Sequence, residues 1–117
     1  LKKLNLKQVD KLYAQSWMNI MRKGEKIKPH LHSVKPDCYL GGHICVKTND
    51  TSTYYINPIN QITDPEIYQS KNENGKITIF QNNIPHYTDT ENSDKERITI
   101  AFDLSLFKAT DNYIKLI

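Results

Sequence analysis

The strongest signal in the chain is the stretch Trp17–His32, which reads Trp-Met-Asn-Ile-Met-Arg-Lys-Gly-Glu-Lys-Ile-Lys-Pro-His-Leu-His. It begins as an apolar strand, is interrupted at Gly24, and ends on two histidines that are one residue apart. In an extended strand, residues i and i+2 point to the same side, so His30 and His32 are placed to bind one ion together. The stretch therefore predicts a β-sheet protein that carries a metal site.

A third histidine, His86, follows a proline far along the chain, and Arg97 opens an alternating strand soon after it. A facial set of three ligands leaves open positions on a mononuclear non-haem iron, although imidazole also suits nickel, copper and zinc. The sequence has no His-Glu-x-x-His motif of a zinc hydrolase, which favours oxygen chemistry at iron. The predicted metal ligands are His30, His32 and His86, and no catalytic residue is predicted beyond the metal centre.

Short apolar or alternating runs, separated by turn residues, fill the chain from Trp17 onward. About eight such strands are typical of a sandwich or jelly roll. Upstream, the spacing of Leu4, Val9 and Leu12 is roughly helical and predicts one amphipathic helix within residues 1–16. We expect a single jelly-roll domain over residues 1–117, in which the short N-terminal helix precedes a metal-binding β core at residues 17–104.

Three further segments carry structural expectations. Residues 58–74 are polar and have no clear period, which predicts a long loop of the kind that is often functional. The Gly41-Gly42 pair indicates a bulge or the close approach of another backbone. Along the strand that begins at Arg97, one face carries Ile98, Ile100 and Phe102, and the other carries Arg97, Thr99 and Ala101.

Composition places the chain among folded globular domains, with 117 residues, 38% hydrophobic residues and a net charge of +3. Such a small charge does not favour nucleic acid as a partner. Cys38 and Cys45 form no metal-binding spacing, and we interpret both as reduced, buried residues of a cytoplasmic protein. No apolar run is long enough to cross a membrane. A homodimer is compatible with this composition, and a leucine at position 1 is compatible with a segment of a longer protein.

The order of these residues resembles the core of the Fe(II)/2-oxoglutarate-dependent dioxygenases. In that family, a strand with an aromatic residue or Asn is followed by a Gly, a His-x-Asp/Glu pair, a distal His and an Arg or Lys. The matching residues, within residues 17 to 104, are Trp17, Asn19, Gly24, His30, His32, His86 and Arg97. The ending resembles the prolyl-hydroxylase-like branch and its uncharacterised bacterial and phage relatives, whereas the step from Asn19 to His30 resembles the nucleic-acid-repair branch.

This resemblance implies an all-β fold, the double-stranded β-helix or jelly roll. It also implies a hydroxylase that uses Fe(II) and 2-oxoglutarate on a substrate, either a protein side chain or a small molecule, which the sequence does not name. Nickel and zinc are the alternative metals. Arg97 is expected to pair with the distal carboxylate of 2-oxoglutarate, with Thr99 as a second donor and Asn19 beside the carboxylate near the metal.

One position departs from the family pattern, because His32 stands where these enzymes usually have Asp or Glu. Asp37 is a candidate for the missing carboxylate. A second resemblance accounts for His32 directly: the spacing Gly24-x5-His30-x-His32-x4-Asp37-x4-Gly42 is similar to the first cupin motif, in which two histidines bind the metal. It implies a small metal-binding cupin domain, either a dioxygenase, an isomerase or a non-enzymatic binding module.

Overall fold

The computed structural model describes residues 10–35, 38–58, 62–63 and 65–117, and these residues form eight β-strands and no helix. The strands are β1 (Tyr13–Met21), β2 (Cys38–Lys47), β3 (Ser52–Ile56), β4 (Ile67–Lys71), β5 (Ile77–Gln81), β6 (His86–Thr88), β7 (Arg97–Ser105) and β8 (Ile114–Lys115). The prediction of an all-β protein with about eight strands is confirmed. The described part of the chain contains no helix that is long and apolar enough to span a membrane.

The strands form two antiparallel sheets. The larger sheet has the order β5-β2-β7-β1-β8, and the smaller has the order β4-β3-β6. The segment that ends in His30 runs beside β6, because His30 and His86 exchange two backbone hydrogen bonds of 3.1 and 2.9 Å. That segment is not a regular strand, yet it extends the small sheet by one row. This pairing brings the first histidine of the chain next to the last.

The space between the sheets is lined by polar side chains, which the alternation of β7 explains. Its buried positions are Arg97, Thr99, Ala101, Asp103 and Ser105, and its large apolar residues alternate with them on the outer face. In antiparallel pairs, residues opposite each other share a face. Pairing of β1 with β7 sets Trp17 opposite Ala101 and Asn19 opposite Thr99, so these two β1 side chains share the inner face. The apolar outer face includes Met18, Ile20, Ile77 and Ile79, which are 43–60% exposed.

The predicted N-terminal helix is wrong where the structure describes it. Strand β1 begins at Tyr13, which pairs with Ser105 of β7 and with Lys115 of β8. Just before it, Leu12 accepts a 2.7 Å backbone hydrogen bond from Leu116. Pairing with distant strands overrides a weak local helical spacing. Residues 1–9 of the expected helix lie outside the described residues.

The predicted long loop at residues 58–74 is wrong at its centre, which forms β4. This strand pairs with β3 over its whole length, from Ile56 opposite Ile67 to Ser52 opposite Lys71. It lies at the edge of the small sheet and four of its five residues are exposed. A strand exposed in this way needs no apolar period, and so the sequence gives no strand signal there. Residues 59–61 and 64 of the expected loop lie outside the described residues.

The Gly41-Gly42 pair lies inside β2, and the expectation of a close backbone approach applies at Gly42. A Cβ atom there would lie 2.6 Å from the carbonyl oxygen of Thr78 on the neighbouring strand β5. The register of β2 against β7 shifts elsewhere, at Cys38 to Leu40 and at Cys45 to Lys47. Glycine at position 42 therefore leaves room for the backbone of β5 beside β2.

Candidate metal centre

Three histidines converge at the end of the cavity between the sheets. His30, His32 and His86 each offer one ligand atom, and these atoms lie within 4.8 Å of one another. The ring centroids are 4.3 Å apart for His30 and His86, and 5.0 Å apart for His32 and His86. The backbone carbonyl of Asn82 accepts hydrogen bonds from the amides of His32 and Ser33, which holds His32 above β6. One metal ion can therefore contact three imidazoles that come from two separate chain segments.

The hydrogen bonds of the three rings leave the same nitrogen free in each. Nδ1 of His30 lies 2.8 Å from the carbonyl oxygen of Lys28, and Nδ1 of His86 lies 2.9 Å from that of Ile84. A carbonyl oxygen only accepts, so both Nδ1 atoms carry the proton and both Nε2 atoms have a free lone pair. Nδ1 of His32 faces the carboxylate of Asp103 at 2.5 Å. A second partner that fixes the tautomer in this way is usual for histidines that bind metals.

His86 is the most deeply buried of the three histidines, with 6% of its surface exposed. Burial lowers the pKa of His86 to about 4, against the smaller opposing effect of its hydrogen bond to Ile84. Its ring packs on Phe80, with the centroids 4.5 Å apart, and Phe80 also contacts the ring of His32. At neutral pH, His86 is therefore an uncharged imidazole whose lone pair is available to a metal.

Glycine at position 41 makes room for His32. A Cβ atom there would lie 2.8 Å from Nδ1 of His32 and 2.7 Å from the side-chain oxygen of Asn82. Any larger residue would push the imidazole away from the other two histidines. The Gly-Gly pair thus serves two purposes, since Gly42 admits the neighbouring strand and Gly41 admits a metal-site histidine.

The cavity also contains the charged guanidinium group of Arg97, which is 2% exposed. Its Nε and Nη1 atoms are buried and have no hydrogen-bond partner among the residues that the structure describes. Burial lowers the pKa of Arg97, and the nearby carboxylates of Glu91 and Asp89 oppose this effect. A buried guanidinium with unused donors is costly unless a ligand supplies acceptors.

All six residues predicted for the site line one cavity of about 140 Å³; they are His30, His32, His86, Arg97, Thr99 and Asn19. Asp37, the candidate for a fourth ligand, lies outside the described residues. Sequence reasoning missed the contribution of Phe80, because nothing local distinguishes it from a packing residue. It also missed Asp103, although this residue follows the alternation of Arg97, Thr99 and Ala101 and could have been placed on the same face.

A fourth histidine, His43, lines the same cavity but is not in the cluster. Burial lowers the pKa of His43 to about 4, and the positive charges of Arg97 and Lys76 add to the effect. A histidine whose pKa is lower in the folded than in the unfolded state stabilises the fold fully above the unfolded value of 6.5. That contribution is lost as the pH falls from 6.5 towards 4.

We therefore expect the free energy of unfolding of the metal-free protein to decrease between about pH 6.5 and about pH 4, by up to about 1.4 kcal/mol per pH unit for each proton taken up. Denaturant titrations at several pH values measure this slope. The slope of the free energy of unfolding against pH should be smaller in the His43→Gln variant, because position 43 no longer takes up a proton while His86 still does. Equal slopes in the variant and the unchanged protein would contradict the assignment.

A jelly roll with three histidines converging between its sheets defines the class as a double-stranded β-helix protein with a candidate metal centre. The family model described as "Putative 2OG-Fe(II) oxygenase" matches residues 15–103, and the chain belongs to this family. No curated protein matches the sequence. The family implies Fe(II) and 2-oxoglutarate as cofactors and agrees with the resemblance that the sequence motifs indicated.

Solved structures support the same fold. A prolyl-4-hydroxylase from Pseudomonas putida aligns with a TM-score of 0.62 and 11% identity, over 79% of this chain and 52% of that one. An oxidoreductase of the 2OG-Fe(II) oxygenase family from Burkholderia pseudomallei gives 0.65 and 18%, over 79% and 43%. An uncharacterised double-stranded β-helix protein from Klebsiella pneumoniae gives 0.52 and 14%, over 95% and 78%. The chain thus spans about half the length of the first two proteins.

Proposed function

We propose that this domain is a non-haem oxygenase that uses Fe(II) and 2-oxoglutarate to hydroxylate a substrate. The observation that carries the proposal is that one cavity holds both the three converging imidazoles and the guanidinium of Arg97, whose Nε and Nη1 atoms have no hydrogen-bond partner among the described residues. A metal site alone fits many proteins of this fold. A buried cation with free donors in the same cavity calls for an anionic ligand that also reaches the metal.

The histidine cluster fits a divalent metal of the first transition row. His30, His32 and His86 would hold it through their Nε2 atoms, since each Nδ1 atom is already engaged. Three protein ligands leave positions for a chelating cosubstrate and for oxygen. Iron(II) is the metal of the family, and nickel or zinc suit the same nitrogen ligands. When bound, the metal and its keto acid would activate molecular oxygen, the oxidant of the reaction, which no side chain of this cavity can do.

Arg97 fits the distal carboxylate of 2-oxoglutarate. Its planar fork of donors matches a carboxylate in a bidentate pair, and burial strengthens such a pair. Thr99 is 3% exposed on the same face of β7 and would donate a second hydrogen bond. Asn19 lies opposite Thr99 on β1 and would contact the end of the cosubstrate that lies near the metal. The keto acid would then span the cavity between the guanidinium and the histidines.

Aromatic side chains would limit the access of water to this cavity. Phe80 packs between His86 and Tyr55, with centroid distances of 4.5 and 5.3 Å. Trp17 lies on strand β1 of the same sheet as Phe80, 5.8 Å from the ring of His32, and remains 38% exposed. The exposed part of Trp17 marks the side from which the substrate, a protein side chain or a small molecule, would approach the metal.

Binding of 2-oxoglutarate tests the proposal. We expect the protein loaded with Mn(II), a redox-inert substitute for iron, to bind 2-oxoglutarate in isothermal titration calorimetry, and the metal-free protein to bind it far more weakly. With Fe(II) and oxygen, slow formation of succinate should follow. Metal binding without any affinity for the keto acid would refute the oxygenase. The cupin interpretation, which the pair His30 and His32 favours, would then remain. Absence of metal binding would refute both.

A further inference from the structure

Asp103 is a buried carboxylate on β7 that lies directly behind the histidine cluster. Its Oδ1 atom is 2.5 Å from Nδ1 of His32, and its Oδ2 atom accepts a 3.0 Å hydrogen bond from Nε2 of Gln15. The side chains of His32 and Asp103 are only 7% and 9% exposed. Both carboxylate oxygens are therefore engaged, and the position of the group is fixed from two sides.

The three histidines differ in the charge of their second partner. His30 and His86 donate to the neutral backbone carbonyls of Lys28 and Ile84. Among the described residues, His32 is the one of the three whose Nδ1 atom faces an ionisable group, Asp103, across 71 residues of sequence. It is also the one position of the cluster at which the sequence pattern leads to the expectation of a carboxylate. A carboxylate is thus in contact with His32, although it is not one of the three converging ligand groups.

We propose that Asp103 is a positioning residue that acts through His32, orienting its Nε2 atom and supplying to the site the negative charge that a carboxylate ligand would bring. This inference rests on the metal site of the proposed function. A carboxylate that accepts a hydrogen bond from Nδ1 increases the electron density on Nε2 and makes the imidazole a stronger ligand. It also offsets part of the charge of a divalent cation held beside the largely buried His32 and His86. Gln15 keeps the carboxylate aligned with the ring.

The first test is the affinity for Co(II), which reports binding through its visible absorption. Asp103→Asn retains the size of the side chain and a hydrogen-bond acceptor but removes the charge. We expect its Co(II) affinity to fall by about ten- to a hundredfold, the range observed when outer-shell partners of metal ligands are removed. The absorption bands of bound Co(II) should also shift, because the ligand strength of His32 changes. Gln15→Leu leaves the charge of Asp103 in place and removes only the hydrogen bond that aligns its carboxylate. Its effect should therefore be smaller.

The second test separates this role from a merely structural one. The substitution His32→Asp places a carboxylate among the ligands, where Asp103 becomes a nearby like charge. In that background, Asp103→Asn should leave the Co(II) affinity unchanged or raise it, opposite to its effect in the unchanged protein. A purely structural role for Asp103 predicts the same loss in both backgrounds. A loss of affinity in one background and none in the other is a coupling between two residues in contact.

The outcomes are distinguishable from a failure of the proposed function. If the unchanged protein binds no Co(II), Mn(II) or Fe(II), the metal site itself fails. If it binds Co(II) and Asp103→Asn binds equally well with an unshifted spectrum, the role of Asp103 is overturned. Equal losses in the two backgrounds would overturn it as well. Circular dichroism shows whether the Asp103→Asn variant folds. If it does not, the Co(II) affinities of His32→Asp with and without Asp103→Asn decide: a loss on adding Asp103→Asn overturns the role of Asp103, and an unchanged or higher affinity supports it.

Discussion

The His86→Ala variant is expected to lose metal binding. Its affinity for Mn(II) or Fe(II) should be more than about a hundredfold below that of the unchanged protein, because loss of a ligand costs more than loss of a residue that only contacts a ligand. His86 contributes one of the three ligand atoms that converge among the described residues, and it is the most deeply buried of the three histidines. Its removal leaves the His30 and His32 pair, which is a weaker bidentate site. His30→Ala should have the same effect. Isothermal titration under anaerobic conditions measures both.

His43 offers a matched control for this experiment. It lines the same cavity and is likewise a neutral, largely buried imidazole, but it does not belong to the converging cluster. His43→Ala removes the same number of atoms from the cavity wall, and we expect it to retain the metal affinity of the unchanged protein. Retained affinity in His86→Ala, or its loss in His43→Ala, would show that the ligands have been assigned wrongly.

The three histidines that the sequence singled out converge in the structure, but their local geometry differs from the expected one. His30 and His32 were placed on one side of a regular strand, but the segment makes only a single bridge, from His30 to His86. The two rings nevertheless stack with centroids 5.6 Å apart, because the carbonyl of Asn82 holds His32 in place of a regular ladder. The residue types and their order indicated these histidines, whereas the position of His32 depends on the turn at Asn82, which is distant in sequence.

The sequence predicted part of the polar lining of the cavity. The alternation of Arg97, Thr99 and Ala101 with apolar residues assigned one face of β7, and the structure has that alternation. The sequence alone does not state that the polar face is the buried one, since alternation usually places apolar residues inside. Asp103 continues the same alternation, but its pairing with His32 depends on strand register across the whole domain.

Elements that depend on distant pairing escaped sequence reasoning. Strand β1 starts four residues before Trp17 because β7 and β8 supply its partners on both sides. Strand β4 is formed against β3 from residues with little apolar character. In both cases the backbone hydrogen bonds of a neighbouring strand stabilise a segment whose own propensity is weak or misleading.

The Arg97→Ala variant is expected to separate the cosubstrate from the metal. Removal of a charge-assisted bidentate partner in a buried site costs roughly 1.5–3 kcal/mol, so the affinity for 2-oxoglutarate should fall by about ten- to more than a hundredfold. Metal affinity should stay near that of the unchanged protein, because Arg97 is not one of the converging ligands. Titration of the Mn(II)-loaded variant with 2-oxoglutarate, after a separate metal titration, measures the two effects independently.

The Arg97→Lys variant shows whether the geometry of the guanidinium matters beyond its charge. A lysine ammonium restores one positive charge but cannot donate two parallel hydrogen bonds to a carboxylate, so only part of the lost affinity should return. Full recovery would indicate that Arg97 acts as a point charge without a bidentate pair. If Arg97→Ala binds the keto acid as tightly as the unchanged protein, the unpartnered Nε and Nη1 atoms serve another ligand, and the assignment of this cavity to 2-oxoglutarate is wrong.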